Sequence, residues 1–368
     1  MSKEKRPIRI LSVVPNMRAA GIETFIMNVY RNLDVTKVQF DFLVHNKEKQ
    51  FYDEEIEKMG GKIYRLTLKD DKNFLNYIKD LNYFFKEHKE YNIVHGHMQS
   101  MIPLYLFMAR LNKVKVRIAH SHNGDYEKTL KGFILHLFSR FAKTFSTDNF
   151  ACSDIAGKYL FGKSKYDVIY NGVNIEKFKF NQKTRKELRK KMKIEDGTIL
   201  IGHVGRFEKQ KNHKYIISIA TKLKENNPEF KFKIALIGEG KLLDETLNLI
   251  KEKDLEDNFM YLGLRKDVDR LYNAFDIFIL PSLYEGLPVV GIEAQINNLN
   301  CLFSKNITKE LNISTKTKFI SLSNVEEWVN EIINSNRNEL GIIDEKKFDI
   351  KLISEEMTRK YIEYETNN

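Results

Sequence analysis

The chain has 368 residues, a formal net charge of +11, and 42% hydrophobic against 30% charged residues. That length predicts two domains, each able to bury its own core. The only cysteines, Cys152 and Cys301, lie far apart in sequence, which excludes a disulfide framework and fits a reduced protein. Apolar runs too short to span a bilayer exclude a membrane-spanning chain, and the charged start (Lys3, Glu4, Lys5, Arg6) argues against a leader peptide. The expectation is a cytoplasmic protein.

Taken in chain order, strands alternate with helices, the pattern of parallel α/β sheets. Residues 8–14 read as a first strand, 21–33 as a helix, 39–44 as a second strand and 53–59 as an acidic helix. Further strands are expected over 92–97, 115–120 and 167–170. The last runs into Asn171-Gly172, a turn dipeptide, and there the pattern restarts. Residues 199–204, 233–237, 261–262 and 277–280 read as strands and 213–225 as a helix, with 354–364 helical near the C-terminus. The charge is unevenly shared. Residues 1–170 carry 28 Lys and Arg against 19 Asp and Glu, a balance of +9; residues 171–368 carry 33 against 31, a balance of +2. Basic residues are densest from Arg110 to Lys165, and Phe133, Leu135, Leu137, Phe138 and Phe141 are interleaved among them at helical spacing. Those apolar residues suit either a packed core or a surface that rests on anionic lipid. No recognition module for nucleic acid accompanies the charge.

Four segments carry chemistry. After the apolar run 277–280 comes Pro281-Ser282-Leu283-Tyr284-Glu285-Gly286-Leu287-Pro288, then Glu293 eight residues beyond Glu285. Pro288 fits the first position of a helix. Glu285 then precedes the helix, Glu293 lies inside it, and the helix N-terminus is a natural phosphate site. Carboxylates placed there suit the hydroxyls of a sugar or ribose. The second segment, Gly205-Arg206-Phe207-Glu208-Lys209-Gln210-Lys211, follows a strand; Gly205 permits close backbone approach, and Arg206 and Lys211 can converge on one anion. The third, Arg18-Ala19-Ala20-Gly21-Ile22-Glu23-Thr24, is a strand–helix turn with a single glycine. The fourth, Arg117-Ile118-Ala119-His120-Ser121-His122-Asn123, ends a strand with two histidines. His95 and His97 alternate at another strand end, but no Cys or carboxylate stands at ligand spacing, so no metal site is expected. Asp267-Val268-Asp269 has a metal-binding spacing, yet opens a helix, where the acids serve as cap or first-turn charge.

The Glu-x7-Glu element with Glu-Gly-Leu-Pro between its acids resembles glycosyltransferase family 4, the retaining transferases of GT-B fold that use nucleotide sugars. The run Gly291-Ile292-Glu293-Ala294-Gln295 is similar to a subgroup that builds capsular and exopolysaccharide repeat units. The resemblance implies two Rossmann-like domains facing a cleft: an acceptor-side domain over 1–170, a nucleotide-sugar domain over 171–349, and a helix over 350–368 returning to the first. It implies that Glu293 holds ribose, that Glu285 and His120 (with His122 as rival) approach the transferred sugar, and that Arg206 and Lys211 neutralise the departing diphosphate. Gly21, Gly205, Gly286 and Leu287 would shape the donor site. The family usually carries a glycine pair where this chain has Ala20-Gly21, which puts in doubt any role needing positive φ at Ala20. The implied donor is a UDP-sugar, with no cofactor and no metal; the implied acceptor is a saccharide, possibly lipid-linked at an anionic membrane surface. A sugar-nucleotide epimerase, a phosphorylase or a non-catalytic subunit of an assembly complex would share the fold.

Overall fold

The computed structural model describes residues 6–18, 20–67, 74–122, 124 and 129–367. Two compact units result, one of residues 1–172 and 347–368, the other of residues 173–346. The division falls after Gly172 and Lys346 because both joints pack into the N-terminal unit. A Cβ on Gly172 would stand 2.7 Å from Ile353 Cδ1, and the ring of Phe348 lies 4.9 Å from that of Tyr170.

The N-terminal unit is built on seven parallel strands: β1 (Ile8–Val14), β2 (Val38–Val44), β3 (Ile63–Arg65), β4 (Ile93–Gly96), β5 (Val116–Ser121), β6 (Asp148–Ala151) and β7 (Asp167–Val168). Their order is β3-β2-β1-β4-β5-β6-β7, so the chain reverses direction across the sheet between β1 and β4. Period-two alternation splits β1 between two cores: Ile10 and Val14 belong to one face, Leu11 and Val13 to the other. The C-terminal helix Ile350–Thr366 covers the first face, burying Ile350, Ile353, Met357 and Tyr361. Lys360 reaches Asp167 at 2.7 Å and the Tyr364 hydroxyl donates to Asp148 at 2.9 Å. The strand expected over 167–170 stops at Val168, since beyond Ile169 the chain turns toward Phe348 instead of pairing.

The C-terminal unit repeats the plan with six parallel strands: β8 (Ile199–Val204), β9 (Phe232–Ile237), β10 (Phe259–Tyr261), β11 (Ile277–Leu280), β12 (Asn300–Ser304) and β13 (Thr317–Ile320). The order β10-β9-β8-β11-β12-β13 is the doubly wound one, with its switch point between β8 and β11. The strand expected at 261–262 is β10, two residues earlier. Asp276, at the mouth of β11, accepts from Arg185, from Arg189 at 2.8 Å and from the Leu200 amide at 2.8 Å. That network pins the helix Gln182–Lys191 to the central strands, and so holds the switch point rigid.

Candidate functional site

The loops that leave β8 and β11 lie on either side of the switch point, where open α/β sheets bind ligands. Residues 205–207 are laced to the loop after β9: the Gly205 amide donates to Ile237 O and the Phe207 amide to Glu239 O, both at 2.9 Å. Two glycines make that approach possible. Gly238 and Gly240 have φ +137° and +159°, and a Cβ on them would stand 2.1 Å from Gly205 O and 2.5 Å from Phe207 O. Phe207 is buried and stacks on His213 at 4.1 Å, so the flanking Arg206 is turned out to solvent.

Lys211 goes elsewhere. Its aliphatic stem runs past Gly205, where a Cβ would meet Lys211 Cδ at 3.1 Å. Its Nζ then stands 2.5 Å from Glu285 Oε1, with both side chains nearly buried at 13% and 9% exposure. Gln210 Nε2 donates to Glu285 Oε2 at 3.1 Å and to Tyr284 O at 2.9 Å. The Leu283 amide donates to Gln210 O at 2.8 Å, and Asn212, left-handed at φ 57°, donates its side-chain amide to Pro281 O at 3.1 Å. In this structure the cations of Arg206 and Lys211 are differently engaged. The Lys211 charge is turned onto Glu285, while no ion pair of Arg206 occurs among the described residues.

Beyond Glu285 the loop carries Gly286 and the buried Leu287 into the helix Val289–Ile296. Pro288 is the residue before that helix, not its first: its ψ of 109° is extended, and its ring sets the entry angle. Glu293 lies on the second turn, where its Oε2 accepts from the Tyr272 hydroxyl at 2.9 Å. Burial raises the Glu293 pKa to about 7, although the Tyr272 bond and the Lys177 charge pull it down. Asp267 does not cap through its side chain; it takes a bidentate ion pair from Arg265 at 2.7–2.8 Å. Asp269 lies in the first turn, 3.5 Å from Lys177.

In the N-terminal unit, the loop after β1 leads into the helix Gly21–Asn32. Ala19 lies outside the described residues, as do Asn123 and Lys128. Ala20 is extended at φ −135°, and nothing lies within 4 Å of where a Cβ of Gly21 would stand. The backbone there is open, and no positive φ is required of Ala20. At the ends of β4 and β5 four histidines gather. His95 pairs in register with Ile118, so His95 and His97 share a face with His120 and His122. His95 Nδ1 contacts the Tyr361 hydroxyl at 2.7 Å and its Nε2 contacts His120 Nδ1 at 3.1 Å; His97 Nδ1 contacts His122 Nε2 at 2.9 Å. Burial pushes all four below the usual imidazole range, so they are neutral. His120 Nε2 and His122 Nδ1 are buried without a hydrogen-bond partner among the described residues.

Several of these groups escape sequence reasoning. Tyr272 carries no motif, and nothing in the sequence pairs Gln210 and Asn212 with the loop after β11. The turn Gly238-Glu239-Gly240 can be read from sequence as shaping the same pocket, but the sequence does not show that its positive φ values bring it against residues 205–207.

Residues 19–177 match the model of Glycosyltransferase Family 4, and residues 184–348 that of Glycosyl transferases group 1. Glycosyltransferase EpsF of Bacillus subtilis is 34% identical over 311 residues, covering 82% of this chain and 80% of that protein. The UDP-Gal:alpha-D-GlcNAc-diphosphoundecaprenol alpha-1,3-galactosyltransferase of Escherichia coli is 30% identical over 284 residues, covering 72% and 70%. Among solved structures, Anabaena HepE in complex with UDP and glucose superposes with a TM-score of 0.79 at 15% identity, covering 97% of this chain and 100% of that one. That likeness is one of fold, GT-B.

The raised pKa of Glu293 has a signed consequence. A folded-state value above the ordinary one contributes stability below about pH 4.5 that is lost as pH rises through about 7. The loss is on the order of 3 kcal/mol. Thermal unfolding of the wild type and of Glu293→Gln, followed from pH 5 to pH 8, should show the wild type falling behind as pH rises. Parallel curves would mean that Glu293 is not held protonated by its surroundings.

Proposed function

The chain belongs to glycosyltransferase family 4, and we propose that it transfers a sugar from a UDP-sugar to a lipid-linked saccharide, with retention at the anomeric carbon. The product would be a repeat unit of a bacterial capsular or exopolysaccharide. The observation that carries the reading is the Lys211–Glu285 pair at the switch point of the C-terminal sheet, with Glu293 on the helix that follows. The E. coli relative supports the acceptor class by its name, and UDP with glucose in HepE supports the donor class.

Breaking the bond between anomeric carbon and phosphate oxygen places negative charge on the diphosphate. Arg206, Lys211 and the N-terminus of the helix Val289–Ile296 supply fixed positive charge and dipole against it. An ammonium has three donors, so Lys211 can meet a phosphate oxygen without wholly leaving Glu285. Glu285 then accepts from a hydroxyl of the sugar, and Glu293 from the ribose. The family resemblance gives His120 a part in positioning the sugar; in this structure its Nε2 is buried without a hydrogen-bond partner among the described residues. No protein nucleophile is assigned; the leaving phosphate oxygen takes the proton of the acceptor hydroxyl. With side-chain cations in place, the diphosphate needs no divalent ion.

The N-terminal unit also carries a surface suited to lipid. The helix Leu130–Ser139 buries only Ser139, and Leu130, Phe133, Ile134, Leu135, Leu137, Phe138 and Phe141 are all exposed. These residues are exposed and so do not form a packed core, which supports the surface reading. Lys131 and Lys143 are exposed among them. An apolar patch ringed by basic residues is the composition of a helix that lies in the interface of an anionic membrane. No helix among the described residues is long and apolar enough to cross one.

Two measurements check this reading. Arg206→Ala should lower kcat by roughly 10²-fold with a smaller change in donor KM, because its charge acts on charge that develops only during cleavage. Arg206 is the cleaner probe, since Lys211→Ala also strands a nearly buried carboxylate. Assayed in excess chelator, wild-type turnover should be undiminished; normal turnover of Arg206→Ala would remove the phosphate assignment. Co-sedimentation with vesicles containing anionic lipid should be strong at low salt and fade at high salt. Phe133→Ser combined with Phe138→Ser should weaken it. Indifference to those vesicles would leave the lipid-linked acceptor unsupported.

A further inference from the structure

We propose that His95, His97 and His120 form a binding site for a zinc-class divalent cation within the N-terminal unit. One ring nitrogen from each lies within 4.8 Å of the other two, and all three residues are buried. Nitrogens about 2.0–2.1 Å from a tetrahedral zinc ion stand a little over 3 Å apart. The His95 Nε2 to His120 Nδ1 separation is already 3.1 Å. The His97 ring centroid is 4.2 Å from that of His95.

The outer contacts have the form that metal sites use. A ligating imidazole is normally held through its other nitrogen by a hydrogen-bonding neighbour, which fixes its tautomer and orientation. His95 has the Tyr361 hydroxyl on Nδ1 at 2.7 Å, which leaves Nε2 for the cation. His97 has His122 on Nδ1 at 2.9 Å, which leaves its own Nε2. His120 presents Nδ1 to the cluster. The edges of Phe25 and Phe150 close the surroundings of His120, with ring centroids at 5.8 and 5.9 Å.

Donor chemistry selects the ion. Three imidazoles suit zinc, copper and nickel, whereas magnesium and calcium take oxygen ligands, and the cluster contains no carboxylate. Three protein ligands leave a fourth position open, the arrangement of a site that takes water or another small ligand. Occupancy would fix the His120 ring with its proton on Nε2.

The test uses the full chain, free of any affinity tag and stripped with chelator, titrated with zinc and separately with magnesium. One equivalent of zinc should bind saturably, unaffected by excess magnesium, and cobalt in its place should give the intense visible absorption of tetrahedral coordination. His97→Gln should weaken zinc binding at least tenfold, Tyr361→Phe several-fold, and His88→Gln, at a His–Glu pair elsewhere on this unit, not at all. Circular dichroism confirms that each variant is folded, and should His97→Gln not fold, His95→Gln and the cobalt spectrum stand in. No saturable zinc site in the wild type would overturn the proposal. Zinc binding that survives in His95→Gln and His97→Gln, or is lost in His88→Gln, would overturn it equally.

Discussion

The C-terminal unit depends on one constraint: a lysine and a glutamate removed from water together at the switch point of a parallel sheet. Neither charge is tolerable there alone, since removing one partner of a buried pair leaves the other uncompensated at a cost of about 3–5 kcal/mol. The pair therefore ties the loop after β8 to the loop after β11. Gln210 and Asn212 complete the tie with side-chain amide hydrogen bonds to Glu285, Tyr284 O and Pro281 O. Gly205 leaves room for the lysine stem, while Gly238 and Gly240 let the neighbouring loop lie flat against it. What might look like a set of independent motifs is one assembly.

That assembly makes functional sense of a cation and an anion placed side by side. A lysine already neutralised by Glu285 does not attract every passing anion, yet keeps a rigid position from which it can meet a diphosphate. On the proposed assignment the carboxylate would be released only to the extent that phosphate takes its place, linking occupation of the phosphate position to availability of Glu285 for a sugar hydroxyl. Glu293 works differently. It is held by Tyr272 and by burial, close to the point of protonation, so a neighbouring ribose would stabilise its charged form. The N-terminal unit instead gathers buried imidazoles at the ends of β4 and β5.

Much of this was legible in the sequence because it depends on local rules. Apolar runs four to seven residues long, followed by glycine or proline turns, marked β1, β8 and β11 within a residue or two, and the Glu285–Glu293 spacing placed one acid before a helix and the other in it. Short edge strands were less legible: β3 was not legible at all and β10 only at 261–262, since both are three residues long and half exposed, and their pairing is decided by neighbours distant in sequence. Nor was the direction of Lys211, because composition shows that two cations are near each other but not which one meets a carboxylate 74 residues away. The histidines show the same limit. His95 and His97 alternate visibly, but only the register between β4 and β5 brings His120 onto their face.

The central claim, that Glu285 holds Lys211 until phosphate arrives while Glu293 serves the ribose, is tested most directly by calorimetric titration with UDP. Glu285→Gln keeps the side chain's shape and removes its charge; it should bind UDP at least as tightly as the wild type while transfer is lost. Glu293→Gln should bind UDP about tenfold or more weakly, the loss expected for a charge-assisted hydrogen bond. A Glu285→Gln protein that no longer binds UDP, beside a Glu293→Gln protein that binds it normally, would contradict the account.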